Sequence, residues 1–192
     1  MEKGDVIYRN YFYITINDGF KNNLTNAVPI ISDKGAPAAF FLVTDVIGRG
    51  VEAEQEHLLR FYDHGRILME FLDWQDCRIM IDAGRTIGSR TVNHARISKI
   101  DGAGAIDEMT ISKNIIEERL EIICEHFRAP FGIPVLDFDP GCDPELARRC
   151  GYQSLLTTAR GANRTGTTPF MIKRDHMLAN WRAHQLRYFF SQ

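Results

Sequence analysis

Residues 38–43, AAFFLV, constrain the fold more strongly than any other part of this 192-residue chain. A short, continuous apolar run is typical of a parallel strand that is buried on both faces, whereas a strand with one solvated face alternates apolar and polar residues. Burying both faces of a sheet requires helices between successive strands. The run therefore predicts a parallel sheet in an α/β protein.

The rest of the chain alternates strands and helices as such a fold requires. Strand patterns occur at 11–17, 86–89, from 127 onward, and at 152–158. Helical spacing of apolar residues occurs at 24–32, 52–62, 72–82, 107–124 and 143–150, and the tail 173–192 is expected to dock as a last helix. With no repeat or linker, we expect a single domain over residues 1–192.

Composition excludes several classes of function. The net charge is -2 and the basic residues are scattered, so no electrostatic case for a nucleic-acid partner exists. No stretch approaches ~18 apolar residues without a charge, and the N-terminus has no apolar signal-like region, so we expect no membrane span and a cytoplasmic location. The four cysteines form no CxxC pair, which favours free thiols over a zinc site.

Three polar clusters follow predicted strands: residues 17–19 (NDG), 89–94 (SRTVNH) and 128–132 (RAPFG). In parallel α/β folds, the carboxyl ends of the strands carry the chemistry, so the clusters are expected to converge. A carboxylate with a histidine is a plausible part of a divalent-metal site, although a tight site usually has three protein ligands.

These clusters resemble, in order, motifs of the NodB-homology polysaccharide deacetylases, carbohydrate esterase family 4. TINDG at 15–19 resembles the family's T-F-D-D-G, IGSRTVNH at 87–94 resembles I-G-S-H-T-x-x-H, and FRAPFG at 127–132 resembles F-R-x-P-Y-G. GY at 151–152 and TTARGAN at 157–163 are similar to a late segment of one branch. The likeness runs from about Tyr13 to Arg174 and implies a distorted, incomplete (β/α) barrel.

The resemblance also implies a reaction, the hydrolysis of the N-acetyl group of a glycan sugar with a divalent metal, most often zinc. It assigns the second acid of the first motif and both histidines of the second motif to the metal. The first acid is the general base, the arginine of the third motif orients that base, and a late histidine protonates the leaving amine.

Some of these positions are kept in this chain and others are changed. Asp18 and His94 match metal ligands, and Arg128 matches the base-orienting arginine. Asn17 stands at the base position and Arg90 at the first metal-histidine position. The residues that match the wall of the substrate groove are Pro130, Phe131 and Gly132. The late histidine has only a positional candidate, His176.

Both changes work against metal-dependent hydrolysis. An amide cannot accept a proton at neutral pH, so Asn17 cannot act as the base. A guanidinium offers no lone pair and would bring a positive charge beside the metal. His126, on the same side of its strand as Arg128, could replace the ligand, or it could simply fill the barrel. Without a metal, we expect Arg90 to pair with Asp18.

Several functions remain open at this level. The chain is expected to be a deacetylase-family protein, with an N-acetylated glycan as partner and with hydrolysis of the amide impaired. The alternative is a non-catalytic pseudo-enzyme that binds a glycan or a protein partner through the former substrate groove. A third option is a hydrolase with a reassigned site, which uses a different base and different ligands. Arg90 and Arg128 together also fit an anion-binding pocket. We expect Trp74 and Trp181 to serve packing, and His57 and His64 to lie on solvated helix faces.

Overall fold

The computed structural model describes residues 11–61, 68–177 and 181–190, and these residues form a five-stranded parallel sheet. The strands are β1 (Ile14–Asp18), β2 (Ala38–Leu42), β3 (Thr86–Ser89), β4 (His126–Arg128) and β5 (Ser154–Leu156). They lie side by side in chain order, β1-β2-β3-β4-β5. The sheet curls into a half barrel, which confirms the predicted incomplete (β/α) barrel.

Helices connect the strands as the alternating pattern predicts. They are α1 (Val28–Asp33, preceded by a π turn at Asn23–Ala27), α2 (Gln55–Arg60), α3 (Trp74–Asp82), α4 (Gly102–Leu120), α5 (Asp143–Arg149) and α6 (Ala183–Phe190). The predicted helix at 52–62 is shorter in the structure, and residue 62 and His64 lie outside the described residues. No helix in the described part of the chain is long and apolar enough to cross a membrane.

The longest helix, α4, begins and ends at different residues from those predicted. It starts five residues earlier than predicted because the Asp101 carboxylate accepts a hydrogen bond from the Gly104 amide at 2.7 Å and caps the first turn. It ends at Leu120 because Glu121 adopts a left-handed conformation with φ 58°. Apolar spacing located the helix but did not reveal these caps.

The core lies on both faces of the sheet, as residues 38–43 predict. Every residue of β2 is buried, and Phe40 and Leu42 belong to the main core. Phe41 points to the other face and packs against Gly88, where an added Cβ would lie 2.6 Å from the Phe41 ring and 2.8 Å from the carbonyl oxygen of His126. Trp74 packs against the main core, as expected.

Candidate functional site

The three polar clusters meet at one edge of the sheet, as predicted. Asp18 is the last residue of β1, Arg90 follows β3, and Arg128 is the last residue of β4. The strands are parallel, so these carboxyl ends share one edge. Arg90 Nε lies 3.1 Å from Asp18 Oδ1, which is the ion pair that the sequence predicts. His94 Nε2 lies 3.6 Å from the same oxygen.

Unusual backbone conformations hold the clusters in place. Asp18, Thr91, His94 and Phe131 all have positive φ, at 75°, 66°, 56° and 58°. Non-glycine residues rarely adopt this region, and its cost is typically tolerated where the surroundings fix the chain at a functional site. Four of the six such residues among those described therefore fall within the three clusters.

Asp18 is surrounded by positive charge. Its side chain is 20% exposed and that of Arg90 is 7% exposed. Burial raises the pKa of the Asp18 carboxyl, although Arg90, Arg128 and Arg174 each act to lower it. The carboxyl group thus lies among three guanidinium groups, a larger number than sequence reasoning placed there.

His94 is neutral at physiological pH. Burial, reinforced by Arg90 and Arg128, lowers the pKa of His94 to about 3. Its ring lies between two aromatic rings, 5.2 Å from the centroid of Phe61 and 4.9 Å from that of Phe131. A neutral ring of this kind packs against aromatic carbon without bringing a charge into the pocket.

Arg128 is almost completely buried, at 2% exposure. One of its terminal nitrogens donates a hydrogen bond to the carbonyl oxygen of Ala129 at 3.1 Å, while its Nε has no hydrogen-bond partner among the described residues. Burial, together with Arg90 and Arg174, lowers the pKa of Arg128, yet guanidinium groups stay protonated in proteins.

Arg174 is the site residue that sequence reasoning missed. Its Nη1 donates to Asn17 Oδ1 at 3.4 Å, and its buried Nε has no hydrogen-bond partner within the described part of the chain. Burial, together with Arg90, lowers the pKa of Arg174 to about 10. Arg174 therefore remains charged at neutral pH and contributes the third guanidinium group.

Hydrogen bonds link the segment that carries Arg174 to the loop that follows β5. The Asn163 amide donates to the carbonyl oxygen of Lys173 and accepts from its amide, both at 2.9 Å. The backbone amide of Arg174 donates to Ala159 at 2.9 Å. Asn163 lies in the late TTARGAN segment, so that likeness was a signal for Arg174. His176, the positional candidate, is exposed on the same stretch.

Pro130, Phe131 and Gly132 form a turn beside His94. Phe131 is 40% exposed, and the Arg96 guanidinium lies 4.3 Å from its ring centroid. Gly132 has φ 83°, and a Cβ there would lie 3.1 Å from the Ala129 carbonyl oxygen, so this turn requires glycine. An exposed aromatic face thus borders the pocket.

The donor set does not fit the metal that the family resemblance implies. Among the described residues of the three clusters, Asp18 and His94 are the carboxylate and the imidazole that could ligate a metal, and the positively charged Arg90 lies against the carboxylate. His126 Nδ1 lies 2.9 Å from Ser154 Oγ at the opposite end of its strand. Within residues 11–61, 68–177 and 181–190, no three His, Cys, Asp or Glu residues are grouped as a metal would require.

Comparison with known proteins establishes the family. The family model for polysaccharide deacetylase matches residues 8–154. The chain therefore belongs to the polysaccharide deacetylase family, whose members are generally metal-dependent. No curated protein matches the sequence.

Solved structures share the fold at low sequence identity. The Streptococcus pyogenes deacetylase PplD, solved in complex with acetate, has a TM-score of 0.72 and 19% identity, over 92% of this chain and 69% of that one. IcaB from Ammonifex degensii has a TM-score of 0.68 and 18% identity, over 88% and 68%. A mutant of BA3943, described as a CE4 family pseudoenzyme with restored enzymatic activity, has a TM-score of 0.54 and 18% identity, over 81% and 49%.

Proposed function

We propose that this protein is a pseudo-enzyme of the polysaccharide deacetylase family, which retains the substrate groove as a glycan-binding site without metal-dependent hydrolysis. The observation that carries the proposal is the 3.1 Å contact between Arg90 Nε and Asp18 Oδ1. The carboxylate that would ligate a metal is engaged by a fixed positive charge.

The base position supports the same conclusion. Asn17 cannot take a proton from water, and its amide oxygen accepts a hydrogen bond from Arg174. General base catalysis typically contributes a factor of about 10²–10⁴ in rate. The loss of the base and of one metal ligand should therefore remove most of the rate of amide hydrolysis. His94 stays neutral, and within the described part of the chain no third His, Cys, Asp or Glu joins it and Asp18 in a metal-binding group.

The residues that match the groove wall support a binding role. Phe131 presents an exposed ring next to His94, and Gly132 keeps the conformation that holds this turn. Aromatic faces of this kind pack on the apolar faces of ligand rings while their surroundings supply hydrogen bonds. Among solved structures with this fold, the BA3943 mutant is described as a pseudoenzyme with restored activity, so loss of activity on this scaffold has a precedent.

A reversion experiment tests the proposal. Release of acetate from N-acetylglucosamine oligomers is measured with zinc in the buffer for the wild-type protein and for the Asn17→Asp/Arg90→His double variant. We expect no release above buffer for the wild type and measurable release for the double variant. The matched control is Arg148→Gln, on the exposed face of α5, which should behave as the wild type. Zinc-dependent acetate release by the wild-type protein would contradict the proposal.

A further inference from the structure

The pocket at the strand ends carries an excess of positive charge. Arg90, Arg128 and Arg174 all act electrostatically on Asp18, and Arg90 contacts it directly. Three guanidinium groups and one carboxylate give the described residues of this pocket a net charge of at least +2, whether or not Asp18 is ionised. Cations at this density are normally found where an anion binds.

The other described carboxylate that acts on this charge, Asp137, has partners of its own. Asp137 is the second carboxylate that acts on Arg128, but it forms an ion pair with Arg96 and accepts a hydrogen bond from the Ile133 amide at 2.8 Å. Asn17, which accepts a hydrogen bond from Arg174, is uncharged. The described neighbours of the three arginines therefore leave the pocket with more positive than negative charge.

Two of the guanidinium groups also have unused donors. Arg128 Nε and Arg174 Nε are buried and have no hydrogen-bond partner in the described part of the chain. Arg128 is only 2% exposed, so the fold holds its guanidinium group in place and the group cannot turn away to solvent. A buried donor without a partner lowers stability, so its presence in a native protein calls for an explanation, and a bound ligand that satisfies the donor is one.

We propose that this pocket binds the oxyanion of an acidic sugar, a carboxylate or phosphate group, through Arg128 and Arg174 while Arg90 neutralises Asp18. The inference rests on the proposed function, because it requires that no metal occupies Asp18. A guanidinium matches two oxygens of a carboxylate or phosphate in one plane, which suits the unused donors. The exposed Phe131 ring beside the pocket would contact the sugar.

Three sugars that differ only at carbon 6 test the proposal. Glucose, glucuronate and glucose 6-phosphate are titrated by calorimetry into the full chain after dialysis against a chelator, so that a bound metal cannot hold the anion. We expect one or both anionic sugars to bind at least tenfold more tightly than glucose, and their affinity to fall as salt is raised. Which anion binds more tightly distinguishes carboxylate from phosphate.

Variants assign the binding to the pocket. Arg174→Gln should weaken binding of the anionic sugar by about tenfold or more. Arg174→Lys keeps the charge but loses the paired, planar donors of the guanidinium group, so its affinity should lie between those of the wild type and Arg174→Gln. Arg148→Gln removes one charge from an exposed helix and should bind as the wild type does. Arg174 is chosen over Arg128 because Arg128 is more deeply buried, and circular dichroism checks that each variant is folded.

Several results would overturn the inference. Glucose could bind as tightly as both anionic sugars, Arg174→Gln could leave the affinity unchanged, or inorganic phosphate could bind as tightly as glucose 6-phosphate. The proposed function is measured separately, by acetate release. A wild-type protein that neither releases acetate nor binds the anionic sugars would thus overturn this inference and leave the proposed function standing.

Discussion

His94 should make the stability of the protein depend on pH in a specific window. Its pKa is lowered from 6.5 to about 3, because its ring is buried beside Arg90 and Arg128. Between these two values, the unfolded chain takes up a proton on His94 and the folded chain does not. The unfolded state therefore gains stability as pH falls, and the free energy of unfolding decreases from near pH 6.5 toward pH 3.

The size of this effect follows from the shift in the pKa of His94. Each pH unit within the window changes the free energy of unfolding by about 1.4 kcal/mol. In the unfolded chain, His94 is mostly unprotonated at pH 7.5 and almost fully protonated at pH 5.0. Lowering the pH from 7.5 to 5.0 should therefore lower the free energy of unfolding by about 2 kcal/mol through His94 alone. The side chain is 15% exposed, so solvent screening reduces this value little.

Urea unfolding at the two pH values measures the effect. The control is His94→Gln, which cannot be protonated in either state. Asp18, whose raised pKa acts with the opposite sign, is present in both proteins and cancels in the comparison. We expect the wild-type protein to lose about 2 kcal/mol more than the variant between pH 7.5 and 5.0. Equal losses in the two proteins would show that His94 titrates normally and would refute the electrostatic account of the pocket.

Two further predictions concern the packing and charge of the site. Gly88→Ala should lower the free energy of unfolding by about 1–3 kcal/mol, because its Cβ would meet the Phe41 ring and a backbone oxygen. Thermal unfolding against Gly102→Ala, an open helix position, checks this, and equal midpoints would contradict it. Asp18→Asn should raise glucuronate affinity severalfold, because it removes the negative charge that forms an ion pair with Arg90. Weaker binding by calorimetry would argue against the arginine pocket.

The sheet was predictable because its signals are local. A continuous apolar run and the polar residues that follow each strand are enough to place β1 to β4 and to predict that their ends converge. The pairing of Arg90 with Asp18 followed because a charge that cannot ligate a metal must find a partner beside it.

The third arginine was not predictable in the same way. Arg174 lies far along the chain from Asn17, in a stretch without regular secondary structure, and it reaches the site through a bridge between Leu156 and Ile172 and the hydrogen bonds of Asn163. None of these contacts leaves an apolar pattern in the sequence. His176, two residues later, was the positional candidate for the late histidine, and it lies exposed.

The zinc content of the purified wild-type protein tests the central claim most directly. The protein is equilibrated with zinc, passed over a desalting column and analysed by elemental mass spectrometry beside the Asn17→Asp/Arg90→His variant. If Arg90 engages Asp18 as the structure shows, the wild type retains far less than one zinc per chain, and the double variant, with three ligands restored, approaches one. One tightly held zinc per wild-type chain would contradict the account.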